Sequence, residues 1–189
     1  MKKVTFLSLA LLLCAFITIS CARETAKKVI LLISEQNIGG PQRAWWASEI
    51  DLSVSETKIA QSLIGQGFSI LEPSDINKIV QKDKAFKIVD ISEGDSVRLG
   101  KLAKADYVIL GKAVVSSSGN IPQSKMRSIF ANISAKVIRS KDGKVISYSD
   151  ASGSSAHMDV ITGGKEALNK AAESLAVKII DAINKDGGN

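Results

Sequence analysis

The chain has 189 residues, of which 45% are hydrophobic and 23% charged, with 3 prolines. This composition is typical of a globular protein and excludes disordered, collagen-like and coiled-coil chains. The formal net charge is +6, and a single His with two Cys excludes most metal sites and catalytic triads.

The first twenty residues have the pattern of a secretory signal. Lys2 and Lys3 precede an apolar run over residues 4–19, which is shorter than the roughly 20 residues that a spanning helix needs. We therefore expect residues 1–20 to be removed as a signal peptide, leaving residues 21–27 as a tether. A retained membrane anchor is the alternative.

The junction after this run carries a cysteine. Thr18-Ile19-Ser20-Cys21 resembles a bacterial lipobox, although Thr18 stands where leucine is usual. Lipidation at Cys21 is the favoured interpretation, and it would hold the mature chain on a membrane. By resemblance to known lipoproteins, Ala22 in place of Asp indicates the outer membrane. Cleavage after Ala22 is the alternative, and it would release a soluble periplasmic protein.

Residues 29–33 are apolar at every position, which predicts a central strand covered on both sides. A loop with Gly39-Gly40-Pro41 follows, and beyond it lie Trp45 and Trp46. Adjacent aromatic side chains point in different directions, so we expect one to anchor the core. The other either shields the loop or, with Arg43 beside it, is the first candidate for binding a partner.

Two helices and a short strand come next. Ser53 and Glu56 form a capping box, and the helix that it starts is predicted to bury Ile59, Leu63 and Ile64, ending at Gly65 or Gly67. Residues 68–71 predict a strand, and Pro73 opens a second helix. Residues 82–90 are ambiguous, and a further helix over 93–104 is predicted to bury Val97, Leu99 and Leu102.

The second half of the sequence is rich in strands. A buried strand is predicted over 106–115, followed by a polar loop over 116–121. Residues 126–140 alternate between apolar and polar, which predicts a half-buried antiparallel strand with Phe130 as the exception. Asp142-Gly143 predicts a hairpin turn, a return strand follows over 145–153, and an apolar stripe predicts a helix over 163–185.

These elements define an α/β fold of the α+β variant in the order β-α-β-α-(α)-β-β-β-α. We expect one domain over residues 28–185 with a tail over 186–189, built on a mixed sheet of about five strands. Its first two strands should be parallel and its later strands an antiparallel meander. The excess basic residues alternate with acids, as around Lys141-Asp142-Gly143-Lys144, which indicates a solvated surface and not a nucleic-acid-binding one.

No pattern of catalytic, metal-binding or cofactor-binding residues stands out. The sole histidine, His157, lies in a serine-rich segment, and Gly163-Gly164-Lys165-Glu166 lacks most of a phosphate-loop pattern and is interpreted as a flexible helix entrance. The alternative is a hydrolase or carbohydrate-binding protein that uses acidic residues. A deep pocket with converging side chains from among Asp90, Glu93, Asp95 or His157 would favour that alternative.

Two stretches carry a family resemblance. One comprises Glu35, Gln36, Asn37, Ile38 and Gly39 with Trp45 downstream, and the other is residues 105–113, including Asp106 and Gly111. With Gly67-Phe68, the Asp142-Gly143 turn and the alanines at 167, 171 and 172, residues 27–184 resemble the middle domain of flagellar assembly protein T. They are also similar to the wider group that shares the N-terminal domain fold of TolB and the periplasmic domain of the curli secretion lipoprotein CsgG.

The resemblance implies a non-enzymatic periplasmic module in an envelope assembly. The chain has no room for the flanking domains or pore-forming segments of those relatives. The expected partner is therefore another envelope protein of unspecified identity, with membrane attachment through the N-terminal lipid and no nucleic acid. Homo-oligomerisation stays open.

Overall fold

The computed structural model describes residues 26–37, 40–41, 53–82 and 92–188, which form a mixed sheet with helices on both faces. The sheet contains six strands: β1 (Lys28–Asn37), β2 (Gly40–Pro41), β3 (Ser69–Ile70), β4 (Tyr107–Asn120), β5 (Arg127–Arg139) and β6 (Val145–His157). The described helices are α1 (Val54–Gly65), α2 (Pro73–Lys82), α3 (Glu93–Leu102) and α4 (Val160–Gly187). The predicted fold class and element order are confirmed, and β2 is a short addition.

β1 lies inside the sheet, as its apolar sequence predicts. β4 runs parallel along one edge of β1, while β3, parallel, and β2, antiparallel, share the other edge. β4, β5 and β6 form the predicted antiparallel meander, with β6 last in the order. The sheet therefore combines one parallel half with one antiparallel half.

Two strands of the meander, β4 and β6, are longer than the apolar pattern predicts. β4 continues to Asn120 instead of ending at Val115, and β6 continues to His157 instead of Gly153. Serine and glycine residues extend both strands because backbone pairing needs no apolar side chain. A register shift between Ser117 and Gly119 accommodates the extra residue in β4.

The core has two layers, one on each face of the sheet. Val29, Leu31 and Ile33 of β1 face the larger layer beneath α1 and α4, whereas Ile30 and Leu32 face the smaller layer beneath α2 and α3. All five are buried, so β1 is covered on both sides, as predicted.

α4 packs closely on the sheet because small residues line its buried side. It begins at Val160, where the Asp159 carboxylate accepts the Thr162 N–H at 3.0 Å, and it continues to Gly187. Gly163 and Gly164 are buried within this helix, so their interpretation as a flexible entrance is wrong. A Cβ at Gly163 would meet Ile129 and would lie 2.8 Å from the His157 Cβ, so glycine is what allows the close approach.

Glu56 is buried and performs two structural tasks. It completes the predicted capping box, since its carboxylate accepts the Ser53 N–H at 3.0 Å. Its other oxygen accepts the Ile33 N–H at 2.7 Å. Ile33 lies in the middle of β1, between the residues that pair with β3 and those that pair with β2. The carboxylate thus satisfies a backbone donor where the sheet has no neighbouring strand.

Two residues predicted to be buried are exposed. Ile64 is 58% exposed in the last turn of α1, and Leu102 is 48% exposed at the end of α3. Each lies near the C-terminal end of its helix, on a side that the sheet does not cover. The other predicted core positions of α1, Ile59 and Leu63, are fully buried.

A polar cluster ties the end of α4 to the sheet. Arg139 donates to the Asp186 carboxylate at 2.8 Å and to the Asp142 carboxylate at 2.7 Å. The Tyr107 hydroxyl donates to the same Asp186 at 3.0 Å. Burial, reinforced by the hydrogen bond to Asp186, raises the pKa of Tyr107 to about 12.

We expect the domain to lose stability between pH 10 and pH 12 through Tyr107. The unfolded phenol ionises near pH 10, so the folded state binds more protons in this window and the contribution disappears as pH rises. The loss amounts to at most about 2–3 kcal/mol. Urea unfolding at stepped pH should show a shallower decline for Tyr107→Phe than for the wild type, with lysine titration common to both. Parallel declines would contradict the assignment.

Candidate functional site

Several of the predicted site residues lie outside the described part of the chain. These are Cys21, Gly39, Arg43, Trp45, Trp46 and Asp90. Their proposed roles in lipidation, partner binding and the alternative acidic pocket stay predictions.

The family-motif residues at the end of β1 lie in a backbone-pairing region. Glu35 is buried, and its carboxylate accepts hydrogen bonds from the Ser55 N–H at 3.0 Å and the Ser55 hydroxyl at 2.7 Å. Gln36 and Asn37 pair through their backbones with β2. The Glu35 side chain therefore joins β1 to the start of α1, which is a structural role.

Asp106 and Gly111 also have structural roles. The Asp106 carboxylate accepts the Lys28 N–H at 2.7 Å, which fixes the start of β1 beside the start of β4. A Cβ at Gly111 would lie 2.7 Å from the Ser134 carbonyl oxygen of β5. Glycine at this position allows β4 to fit closely against β5.

The described members of the alternative acidic pocket do not converge. Asp95 caps α3, next to Ser92. Val97 of the same helix packs against Gly143, in the turn between β5 and β6. His157 pairs with Arg127 at the opposite end of β5, about 40 Å away at about 3.3 Å per residue. The described residues therefore do not bring these two side chains into one catalytic site.

One face of the antiparallel meander is left uncovered by the described helices. We call it the open sheet face and define it by three cross-strand rows of β4, β5 and β6: Lys112–Ser134–Asp150, Val114–Asn132–Ser152 and Ser116–Phe130–Ser154. None of the described helices packs on these rows, because α3 contacts only the first part of this face, around Val108. The opposite face is buried beneath α4.

Exposed aromatic side chains distinguish the open sheet face from an ordinary polar surface. Phe130 is 47% exposed, and Tyr148, in the adjoining row with Leu110 and Lys136, is 75% exposed. A shallow depression of about 430 Å³ lies beside Tyr148, lined also by Lys112 and Asp150. A second, of about 370 Å³, lies between Val114 and Phe130. Apolar groups rimmed by polar ones are typical of protein-binding surfaces.

The edge of β6 is less available than this face. Lys178 of α4 donates to the Asp150 carbonyl at 2.7 Å, and Lys170 donates to the Ser154 carbonyl at 3.0 Å. Lysines that occupy edge carbonyls oppose pairing with an additional strand. The arrangement favours contact through the face of the sheet over contact through its edge.

The sequence contained only one signal for this surface. Phe130 breaks the alternation of β5, which indicates an apolar residue on the outward side of that strand. Tyr148, Val114 and the nearby Lys112 were missed, because nothing local distinguishes an exposed apolar residue on a strand from a buried one.

The described residues show neither a metal-binding cluster nor a membrane-spanning helix. They contain no group of three or more His, Cys, Asp or Glu side chains placed to hold a metal ion. No helix in this part of the chain is long and apolar enough to cross a membrane.

Comparison with known proteins finds likeness at the level of structure only. No protein-family model matches the chain, and no curated protein does either. Lipoprotein GNA1162 from Neisseria meningitidis matches at 15% identity and a TM-score of 0.47, over 87% of this chain and 99% of that one. The C-terminal domain of LpoB from Salmonella enterica matches at 13% identity and a TM-score of 0.40, over 77% and 92%.

A third solved structure is the PelC dodecamer from Paraburkholderia phytofirmans. It matches at 14% identity and a TM-score of 0.41, over 83% of this chain and 86% of that one. Bacterial lipoproteins are thus among the structural neighbours, while the resemblance to flagellar assembly protein T stays a prediction. Because these likenesses are low in both identity and TM-score, we base the function on the residues of this chain.

Proposed function

We propose that this chain is an outer-membrane lipoprotein, anchored through Cys21 on the periplasmic side, whose domain binds another envelope protein. Binding serves the assembly or support of an envelope complex, and the domain performs no chemistry of its own. The observation that carries the proposal is the open sheet face, with Phe130 and Tyr148 exposed among polar neighbours.

The composition of the open sheet face supports a protein partner. Phe130 and Val114 supply apolar area around one depression, and Lys112 and Asp150 supply opposite charges around the other. Aromatic side chains lose little conformational entropy on binding, and they carry much of the energy in protein interfaces. The segment with Arg43, Trp45 and Trp46 remains a separate candidate surface.

Replacing Phe130 and Tyr148 by serine is expected to weaken capture of the partner from crosslinked envelopes about tenfold or more. The melting temperature should change little, since both side chains are exposed. The matched control is Val177→Ser, which removes an apolar side chain that is 68% exposed on the outer side of α4. If the control weakens capture equally, or the double variant captures as well as wild type, the open sheet face is not the binding surface.

Cys21→Ala is expected to move the protein from the membrane fraction to the soluble periplasmic fraction. Each buried CH₂ of an acyl chain contributes about 0.8 kcal/mol to membrane binding, so loss of several chains removes the anchor. Fractionation with immunodetection provides the measurement, and Ser20→Ala provides a neighbouring control. Partition of Cys21→Ala that stays unchanged after a high-salt wash, which removes purely electrostatic binding, would rule out a lipid anchor at this position.

A further inference from the structure

One end of the domain collects elements that are far apart in sequence. We call it the tether pole and define it by the starts of β1 and β4, the 140–144 turn, and the C-terminal ends of α3 and α4. Asp106 binds the first residue of β1, its carbonyl accepts the Ser140 N–H, and Asp186 of α4 binds Arg139. Residues 21–27 connect Cys21 to this pole.

Lysines are concentrated at the tether pole. Six of them are exposed: Lys28, Lys101, Lys104, Lys141, Lys144 and Lys185. The carboxylates at the same end are fewer, and each is engaged: Asp142 and Asp186 bind Arg139, Asp181 binds Lys185, and Asp106 accepts the Lys28 N–H. Asp142 stands between Lys141 and Lys144 in sequence, but it is directed to Arg139. The alternation of charge in the sequence therefore becomes a positive surface in the fold.

Helix geometry accounts for only part of this charge. Lys101 lies in the last turn of α3 and Lys185 in that of α4, where a cation compensates the negative end of the helix. Lys141 and Lys144 lie on a hairpin turn, and Lys28 begins a strand. These three gain nothing from a helix terminus, so their common location calls for another reason.

The length of the tether limits the distance between this pole and the membrane. Six residues lie between Cys21 and Lys28. The connecting chain spans at most about 25 Å when extended and about 15 Å as a flexible chain. A lipid on Cys21 would therefore keep the tether pole within about 25 Å of the headgroup layer. The pole could then come into contact with that layer, as attraction across a Debye length of about 8 Å requires.

We propose that the tether pole docks on anionic phospholipid headgroups, an inference that rests on the lipidation of Cys21. Lysine ammonium groups bind lipid phosphates, and basic residues near an anionic surface each add to its attraction. Docking in this way directs the long strands away from the bilayer. The open sheet face and the β4–β5 turn then project into the periplasm, toward a partner.

Vesicle sedimentation of the mature chain with Cys21→Ala tests the pole without the lipid. We expect binding to vesicles of phosphatidylglycerol and phosphatidylcholine, weak binding to phosphatidylcholine alone, and loss of binding at high salt. Glutamine at Lys101, Lys104 and Lys141 should weaken binding about a hundredfold, at about fivefold for each lysine. The matched control places glutamine at Lys125, Arg127 and Lys165, which are exposed and lie away from the pole. It should bind nearly as well as the parent.

Equal loss in both triple variants, or no preference for anionic vesicles, would overturn the docking proposal. Unchanged vesicle binding by the pole variant, with loss of partner capture, would assign the pole to an acidic protein instead. Circular dichroism melting confirms that both variants are folded. Wild-type protein could fractionate with membranes while the unacylated chain does not bind anionic vesicles. That result would support the lipid anchor and contradict only the docking proposal. Membrane retention of Cys21→Ala in cells that survives a high-salt wash would instead contradict the anchor, because high salt removes binding through the pole.

Discussion

Ala131→Asp is expected to unfold the domain or to leave it marginally stable. Ala131 is 2% exposed in the core beneath α4, and its cross-strand partner is Gly153, which carries no side chain to pair with a charge. An unpaired buried carboxylate costs several kcal/mol, which is a large part of the roughly 5–15 kcal/mol that stabilises a typical domain. Urea unfolding followed by circular dichroism measures the loss.

Asn132→Asp is the matched control for this substitution. It introduces the same carboxylate one residue later on the same strand, where the side chain points to the open sheet face and is exposed. Its effect should stay within about 0.5 kcal/mol. Equal destabilisation by the two substitutions would contradict the strand register.

Gly153→Ala is expected to destabilise the domain by about 3 kcal/mol, an unusually large effect for one methyl group. A Cβ at Gly153 would meet the Ala167 carbonyl of α4 and would lie 2.7 Å from the Ala171 backbone nitrogen. Backbone atoms cannot move aside as a flexible side chain can, so α4 must shift away from the sheet. The larger core layer would then lose packing along the whole helix.

The same substitution at Gly65 provides the control. Gly65 lies at the end of α1, where a Cβ would meet nothing within 4 Å, and alanine favours the helix by at most about 1 kcal/mol. Gly65→Ala should therefore leave the melting temperature unchanged or raise it slightly. If Gly153→Ala unfolds no more easily than Gly65→Ala, α4 does not pack against β6 as closely as described.

Local patterns predicted most of the fold because they depend on neighbouring residues alone. The alternation of β5 places Ile129, Ala131 and Ile133 on one face whatever the rest of the chain does. The Ser53–Glu56 capping box is complete within four residues, and the apolar stripe of α4 has the period of a helix. These elements were confirmed with errors confined mainly to their ends.

The candidate site depended on contacts between distant segments. Phe130 and Ile138 both lie on the same side of β5, yet Ile138 is fully buried and Phe130 is 47% exposed. α3 packs at the end of the strand that bears Ile138 and leaves the remainder open. No pattern within β5 indicates where a helix from another part of the chain will lie.

The sequence by itself determined the order of the elements and the inward face of each long strand, and it predicts a signal segment that ends at a cysteine. Each depends on residue type and spacing along a short stretch of chain. Tertiary structure decided which sheet face stays open and that Glu56 bonds to the edge of β1. It also decided that Lys28, Lys101 and Lys141 lie at one pole. These arise because packing joins residues more than twenty positions apart, and a local period carries no information about such pairs.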